Sequence, residues 1–428
     1  MLKKMAGNSL LSGSAVYLLS NLLAASIPFL LLPILTRHLS PSEYGQIAIF
    51  QTLLAGLGAF VGLSSQGAAG VKYYEQAHDK NELKFYIGNC FLVLVATAAV
   101  ALLGCILFTD SLSEWLGLKP SWLYLSVIVS VASFIVLMRM GQWQIRKQAK
   151  NFGMFQVSQS VINMIFSLLL VVYFHQGATG RLWVLCGVPL AFAVMALVLL
   201  NKDGLLGFAW RPNALREILA FGVPLIPHSA GLFLLSTVDR FFINAQLGLA
   251  QVGIYMVAVQ LVSAMGLIFD AINNAYVPWL YERLSRNKLE EKKQIVSWTY
   301  KYYLALFGVV ALAFVIGPPV LVWIAGEKYR EAGDVVGWLA MGQAFNGMYL
   351  MVTNYIFYSK KTGWLSVATI SSGLINVGLL MTLISVFGLK GAAVAFAISM
   401  AFKFLLTWLV SQRSYAMPWF DFKKLVQL

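Results

Sequence analysis

Apolar stretches free of Asp, Glu, Lys and Arg recur along the whole chain. They fall at 5–36, 44–71, 85–109, 121–138, 151–180, 182–201, 218–238, 241–269, 302–326, 335–359, 362–389 and 391–412, the last interrupted only by Lys403. A helix crosses the hydrocarbon with about 20 mostly apolar residues, so the pattern predicts an all-α polytopic membrane protein with twelve transmembrane helices. The first run exceeds one crossing, and residues 1–10 are expected to lie along the membrane surface before the span begins. The run lacks a small-residue cleavage site behind a short apolar core and reads as a retained helix. Pro224 and Pro227 are expected to break span 7. Gly56, Gly58, Gly62, Gly67 and Gly70 mark span 2 for close helix packing or for flexing.

Composition narrows the class. Of 428 residues, 59% are hydrophobic and 11% charged, whereas soluble domains carry about 25% charged residues. That excludes a soluble enzyme or a nucleic-acid-binding domain, despite a net charge of +14. The cations instead give an orientation. With the N-terminus inside, 23 Lys and Arg fall in cytoplasmic segments and 7 on the opposite side, leaving Lys403 within a span. Such a bias places both termini in the cytoplasm. Trp122, Trp183, Trp298, Trp338, Trp364 and Trp408 sit near span ends, where an amphipathic ring prefers the interface. Cys90, Cys105 and Cys186 lie in apolar runs without CxxC spacing and suggest neither a disulfide framework nor a metal site.

Weak internal matches suggest a duplicated six-helix unit. Leu39 and Gly45 pair with Leu247 and Gly253 at an offset of 208; Ser158, Ile162 and Asn163 pair with Ser371, Ile375 and Asn376 at 213; Gly177 and Gly180 pair with Gly388 and Gly391 at 211. The expected organisation is an N-terminal lobe at 1–201, a cytoplasmic linker at 202–217 and a C-terminal lobe at 218–428. The two lobes would be pseudo-symmetric about a central cavity.

No catalytic motif is present, and the chemistry lies in polar groups inside the spans. Gln156, Ser160, Asn163 and Ser167 form one helical stripe, Ser366, Thr369, Ser372 and Asn376 another, and span 10 adds Gln343, Asn346, Thr353 and Asn354. They can bond helix to helix or line a hydrated cavity, and amides and hydroxyls suit sugars. Among ionisable residues, Lys403 either snorkels to the inner headgroups or faces a cavity. Arg139 is a positive-inside anchor or a cavity cation. Arg37, Asp239 and Arg240 anchor span ends, pair locally or meet an anion. His228, beside Pro224 and Pro227, is a packed neutral ring or a proton-linked one. Asp270 pairs with a neighbour or carries a coupling ion.

The sequence Phe221-Gly222-Val223-Pro224-Leu225-Ile226-Pro227, then Val238-Asp239-Arg240-Phe241-Phe242-Ile243 and Val252-Gly253-Ile254-Tyr255, resembles the Wzx-type polysaccharide flippases. Leu39-Ser40-Pro41-Ser42-Glu43-Tyr44-Gly45 and Asn274-Ala275-Tyr276-Val277-Pro278-Trp279 fit the same family, which belongs to the multidrug/oligosaccharidyl-lipid/polysaccharide exporter superfamily. The resemblance covers essentially the whole chain. It implies a multi-pass protein of the bacterial inner membrane that moves undecaprenyl-pyrophosphate-linked glycan repeats to the periplasmic leaflet, for O-antigen, lipopolysaccharide or a related surface polysaccharide. The implied partners are the lipid-linked oligosaccharide and membrane lipids, with a glycan polymerase and a chain-length regulator beside them. No cofactor or metal is expected, and coupling to H+ or Na+ stays open. The family positions are Glu43, Gly45, Pro224, Asp239, Arg240, Gly253, Tyr255 and Pro278.

On this reading the lobes rock in alternating access. Arg37, Arg139, Arg240 and Lys403 face the phosphates, and Gln156, Ser160, Asn163, Asn346, Asn354 and Asn376 line the cavity. Asp239, His228 and Asp270 serve coupling or gating. Two rivals remain. A cation-coupled exporter of another substrate would want buried carboxylates, and only Asp270 fits that description clearly. A membrane glycan polymerase would want a large periplasmic loop, but the longest outer segment is about 109–120.

Overall fold

The computed structural model describes residues 2–75, 80–361 and 363–420, with side chains from residue 15 onward except that of Lys80. Lys423 and Lys424, counted above among the inner cations, lie outside the described residues, as do the side chains of Lys3, Lys4 and Lys80. The chain divides into two compact units, Met1–Ala230 and Gly231–Leu428. The first contains α1 (Leu2–His38), α2 (Pro41–Phe60), α3 (Ser65–Glu75), α4 (Lys80–Leu107), α5 (Thr109–Leu116), α6 (Pro120–Ile145), α7 (Ala149–Ser167), α8 (Gly177–Lys202) and α9 (Pro212–Gly222). Helix α10 (Ile226–Ser236) leads into the second, which holds α11 (Asp239–Leu247), α12 (Leu249–Arg286), α13 (Leu289–Ala325), α14 (Gly333–Tyr358), α15 (Gly363–Phe387) and α16 (Leu389–Ser414). No strand occurs among the described residues.

Eleven helical stretches are long and apolar enough to cross a membrane, and the bent pair α2–α3 raises the number to twelve. That pair is the expected span 2. It bends by 41° where Gly62, Leu63 and Ser64 all take positive φ, a conformation only glycine adopts freely. The Gly62 N–H, freed from the helix, donates to Thr97 Oγ1 at 2.9 Å. Span 7 behaves differently. Pro224 tightens the chain into a 3-10 turn at Val223–Leu225, and Pro212–Ser236 remains one candidate span. It starts earlier than expected because Pro212 supplies a first helical residue that needs no N–H partner. Only residues 203–211 of the expected linker are irregular. Span 8 also shifts: 239–247 form the short α11, Gly248 turns at φ 86°, and the long helix begins at Leu249. The expected surface segment belongs to α1 in its backbone over residues 2–10, and the membrane-length part of α1 is Ala15–His38.

The Leu39–Gly45 motif acts as a helix start. Ser40 is the N-cap and Pro41 the first helical residue, and Glu43 closes a capping box, with Ser40 N to Glu43 Oε2 at 2.9 Å and Glu43 N to Ser40 Oγ at 3.3 Å. The other Glu43 oxygen accepts from Ala178 N at the start of α8, at 3.3 Å. Each unit has one central helix: the membrane-length windows of α6 and α14 are 61% buried, against 17–44% for the other single spans. In the second unit α12, α13 and α16 all pack on α14. Three glycines of α14 permit this. Gly337, Gly342 and Gly347 receive the rings of Phe314, Phe396 and Phe269 where a Cβ would stand, the small-residue packing that membrane helices use in place of hydrophobic driving force.

Candidate functional site

Helical periodicity aims four elements of the second unit at one cavity of about 200 Å³. Phe396, Met400 and Lys403 fall on one face of α16, Tyr255, Val259 and Val262 on one face of α12, and Gln343 and Asn346 one turn apart on α14. Asp239 and Arg240 enter from the first turn of α11. The pair is internally satisfied: Arg240 Nη1 lies 2.8 Å from Asp239 Oδ1 and also bonds the Ser236 carbonyl. Tyr255 Oη donates to Asp239 Oδ2 at 2.6 Å. These bonds hold together the family positions Asp239, Arg240 and Tyr255.

Lys403 is different. It is 4% exposed, and its Nζ lies 3.8 Å from the centroid of the Tyr349 ring. Among the described residues it has no ion pair and no hydrogen bond. A desolvated ammonium costs several kcal/mol even after relaxation. A cation–π contact returns about 0.5–2 kcal/mol. The deficit leaves an unanswered positive charge in this cavity.

The first unit holds the remaining candidate cations. Arg139, 3% exposed, pairs with Asp203 at 2.6 Å and stacks on Trp143 with its Cζ 4.2 Å from the ring centroid. Arg37 is exposed at the C-terminal end of α1, where the helix dipole favours a cation. Of the expected polar lining, only Asn346 shares the Lys403 cavity. Asn163 instead accepts from the buried Arg181 at 2.7 Å, and Arg181 also bonds Ser167. This clamp sits where α7 widens into a π-turn at Leu168–Tyr173. Asn354 bonds Asn273 Oδ1 at 2.8 Å, and Asn376 donates to the Leu234 carbonyl at 2.9 Å; both are interhelical contacts. Gln156 and Ser160 are half-buried on α7. His228 is half-buried with no partner at Nδ1, and Asp270 is exposed on the surface of its unit.

Sequence reasoning missed Tyr349, Asp203 and Arg181. A pairing signal for Asp203 existed in principle, as an acid just beyond the end of span 6. Nothing in its spacing, 64 residues from Arg139, ties the two together.

A family profile described as polysaccharide biosynthesis protein matches residues 10–284, more than half of the chain. The chain belongs to that family. A protein of the Lsg locus of Haemophilus influenzae is 26% identical over 86% of this chain and 90% of its own length. A candidate O-antigen transporter of Shigella flexneri is 23% identical over 92% of this chain and 96% of its own. Among solved structures, an inward-facing multidrug-resistance MATE family transporter of the MOP superfamily superposes with a TM-score of 0.72 at 15% identity, covering 91% of this chain and 94% of its own. The lipid II flippase MurJ, in an inward closed conformation, gives 0.72 at 12% identity over 94% and 87%. The fold of this family member is that of MATE and MurJ.

Proposed function

We propose that the protein is a flippase for lipid-linked oligosaccharides, carrying undecaprenyl-pyrophosphate-linked glycan repeats from the cytoplasmic to the periplasmic leaflet of a bacterial inner membrane. Family membership and the O-antigen transporter relative support the substrate class. The observation that carries the site is Lys403, a buried cation without a counter-ion among the described residues that lines a cavity with Arg240 and Asn346. A pyrophosphate cannot cross about 30 Å of hydrocarbon unaided, and this cavity supplies the charge that its passage requires. Arg139, already held by Asp203, and the exposed Arg37 are the weaker candidates for phosphate.

The proposed cycle is alternating access by two six-helix lobes of common origin. Corresponding packings support the duplication: α2 on α6 and α6 on α8 in the first unit match α12 on α14 and α14 on α16 in the second. The starts of α2 and α12, at Pro41 and Leu249, keep the offset of the repeat. Both termini would then be cytoplasmic, and the flipped repeat would pass to a polymerase and its chain-length regulator. If transport is ion-coupled, Asp270 and His228 are the groups to test first, since Asp239 is bound on both oxygens.

The test is deletion of the gene followed by analysis of lipid-linked intermediates, with Lys403→Met and Lys403→Arg supplied in trans. The expected result is single repeats accumulating on the cytoplasmic face, relieved by the Arg variant and not by the Met variant. Exported but unpolymerised repeats would point to a polymerase and overturn the reading.

A further inference from the structure

Helices α15 and α16 are joined at Gly388, where φ is 56°, and pack on each other as antiparallel neighbours. The start of α15 and the end of α16 therefore lie at the same end of the second unit, and a groove of about 380 Å³ is lined by both. Its walls follow helical spacing. Trp364 and Val367 lie one turn apart on α15, and Leu406, Leu409 and Arg413 share one face of α16. These walls are open to a ligand: Trp364, Val367 and Leu409 are 60%, 51% and 55% exposed. The stripe from Leu406 to Arg413 is about 10 Å long at about 1.5 Å per residue. It is apolar along its length and cationic at its end, where Arg413 and Lys361, two residues before α15, both line the groove.

Both cations are exposed. Among the described residues neither side chain has an ion pair, a hydrogen bond or a ring contact. The local sequence contributes to this, because no Asp or Glu occurs from 335 to 420. The connection between α12 and α13 is built differently. There Arg286 pairs with Glu282 and Glu291, and Lys293 lies 3.8 Å from Glu290. The cation bias assigns both regions to the cytoplasmic side, but acids of the chain answer charge in only one of them.

The open groove needs an apolar cover, and its end needs an anion. A phospholipid with net negative charge supplies both in one molecule, since basic residues beside a membrane helix attract anionic headgroups. A zwitterionic headgroup brings an ammonium that opposes the two cations. The chain's own terminal segment, 421–428, fits less well, because it carries Lys423 and Lys424 against the single acid Asp421.

We propose that the groove between α15 and α16 is a binding site for an anionic phospholipid. Lys361 and Arg413 hold its phosphate, and an acyl chain lies along Trp364, Val367 and Leu409. The site does not depend on what the protein transports. The full-length protein in neutral detergent is titrated with phosphatidylglycerol and with phosphatidylethanolamine, and native mass spectrometry counts the lipids bound. Phosphatidylglycerol fills a first site at least about fivefold more tightly than phosphatidylethanolamine. Lys361→Gln and Arg413→Gln each weaken that site about fivefold and together about thirtyfold, the effect expected for cations facing a lipid phosphate. The unfolding midpoint stays unchanged, because both side chains are exposed and unpaired. Lys147→Gln with Lys150→Gln removes the same charge from exposed positions outside the groove and leaves the first site intact.

Equal affinity for the two phospholipids overturns the proposal, as does an undiminished first site in the folded double variant. An equal loss in the Lys147 and Lys150 control would show attraction to net charge without a site. Displacement of phosphatidylglycerol by undecaprenyl phosphate at lower concentration would make the groove a carrier-lipid port, and displacement by inorganic phosphate a free-anion site. Each of these results overturns the phospholipid assignment. The flippase reading is decided separately, by the intermediates that accumulate when the gene is deleted.

Discussion

Arg139 and Lys403 are nearly equal in burial, at 3% and 4% exposed, and each lies over an aromatic ring, at 4.2 and 3.8 Å. They differ in one partner. Arg139 has Asp203 at 2.6 Å, whereas Lys403 has no carboxylate among the described residues. The first unit thus closes Arg139 into a neutral pair and holds its other buried cation, Arg181, with the Asn163 amide and the Ser167 hydroxyl, and the second leaves Lys403 with neither an ion pair nor a hydrogen bond among the described residues. Burial alone therefore does not identify a binding charge. What separates Arg139 from Lys403 is the partner, because a paired charge has already recovered most of its lost hydration and an unpaired one has not.

The contrast can be broken most forcefully at Asp239. Removing this carboxylate by Asp239→Ala strands Arg240, with both side chains under a tenth exposed, and should cost about 3–5 kcal/mol, read as a lower unfolding midpoint in detergent. Lys403→Met should move the other way. Replacing an unpaired buried charge with an apolar chain of similar length should stabilise the protein by about 1–2 kcal/mol while abolishing flipping. A loss of stability in this variant would mean that the ammonium has an unrecognised partner. Asp203→Ala exposes the same mechanism in the first unit at lower cost, about 1–2 kcal/mol, because Asp203 is 42% exposed and solvent screens the pair. At the small end, Arg37→Ala should change the unfolding free energy by no more than about 0.5 kcal/mol, and a large transport defect there would return Arg37 to the phosphate path.

The spans were legible because crossing a bilayer demands long apolar runs, and little else in the chain competes with that signal. The capping box at Ser40 and Glu43 was equally local: three residues of spacing carry the whole motif. The glycines of span 2 pointed to close packing or flexing, and at Gly62 the chain bends by 41° with the Phe134 ring where a Cβ would stand. The start of α12 was less legible. Nothing in the apolar pattern separates α11 from the helix that follows, and the break comes from the backbone of Gly248.

The polar stripes show where pattern reading stops. Asn346 and Asn376 look alike in sequence, each an amide at helical spacing within an apolar run. One lines the Lys403 cavity, and the other bonds the Leu234 carbonyl. Both are turned away from lipid, and periodicity reports only that. Lys403 itself stood out as the one cation stranded in a span, but the pattern left snorkelling open. The structure buries it, with Tyr349 beneath the ammonium and Arg240 committed to Asp239.

By itself the sequence determined the membrane class, the succession of eleven or twelve membrane-length helical stretches and which residues carry charge into the apolar runs, since these follow from the local free energy of placing each segment in lipid. Tertiary structure decided which of those charges are already answered. Ion pairs such as Arg139–Asp203, 64 residues apart, form only when helices distant in sequence come into contact, and that contact sets the difference between a structural cation and an open one.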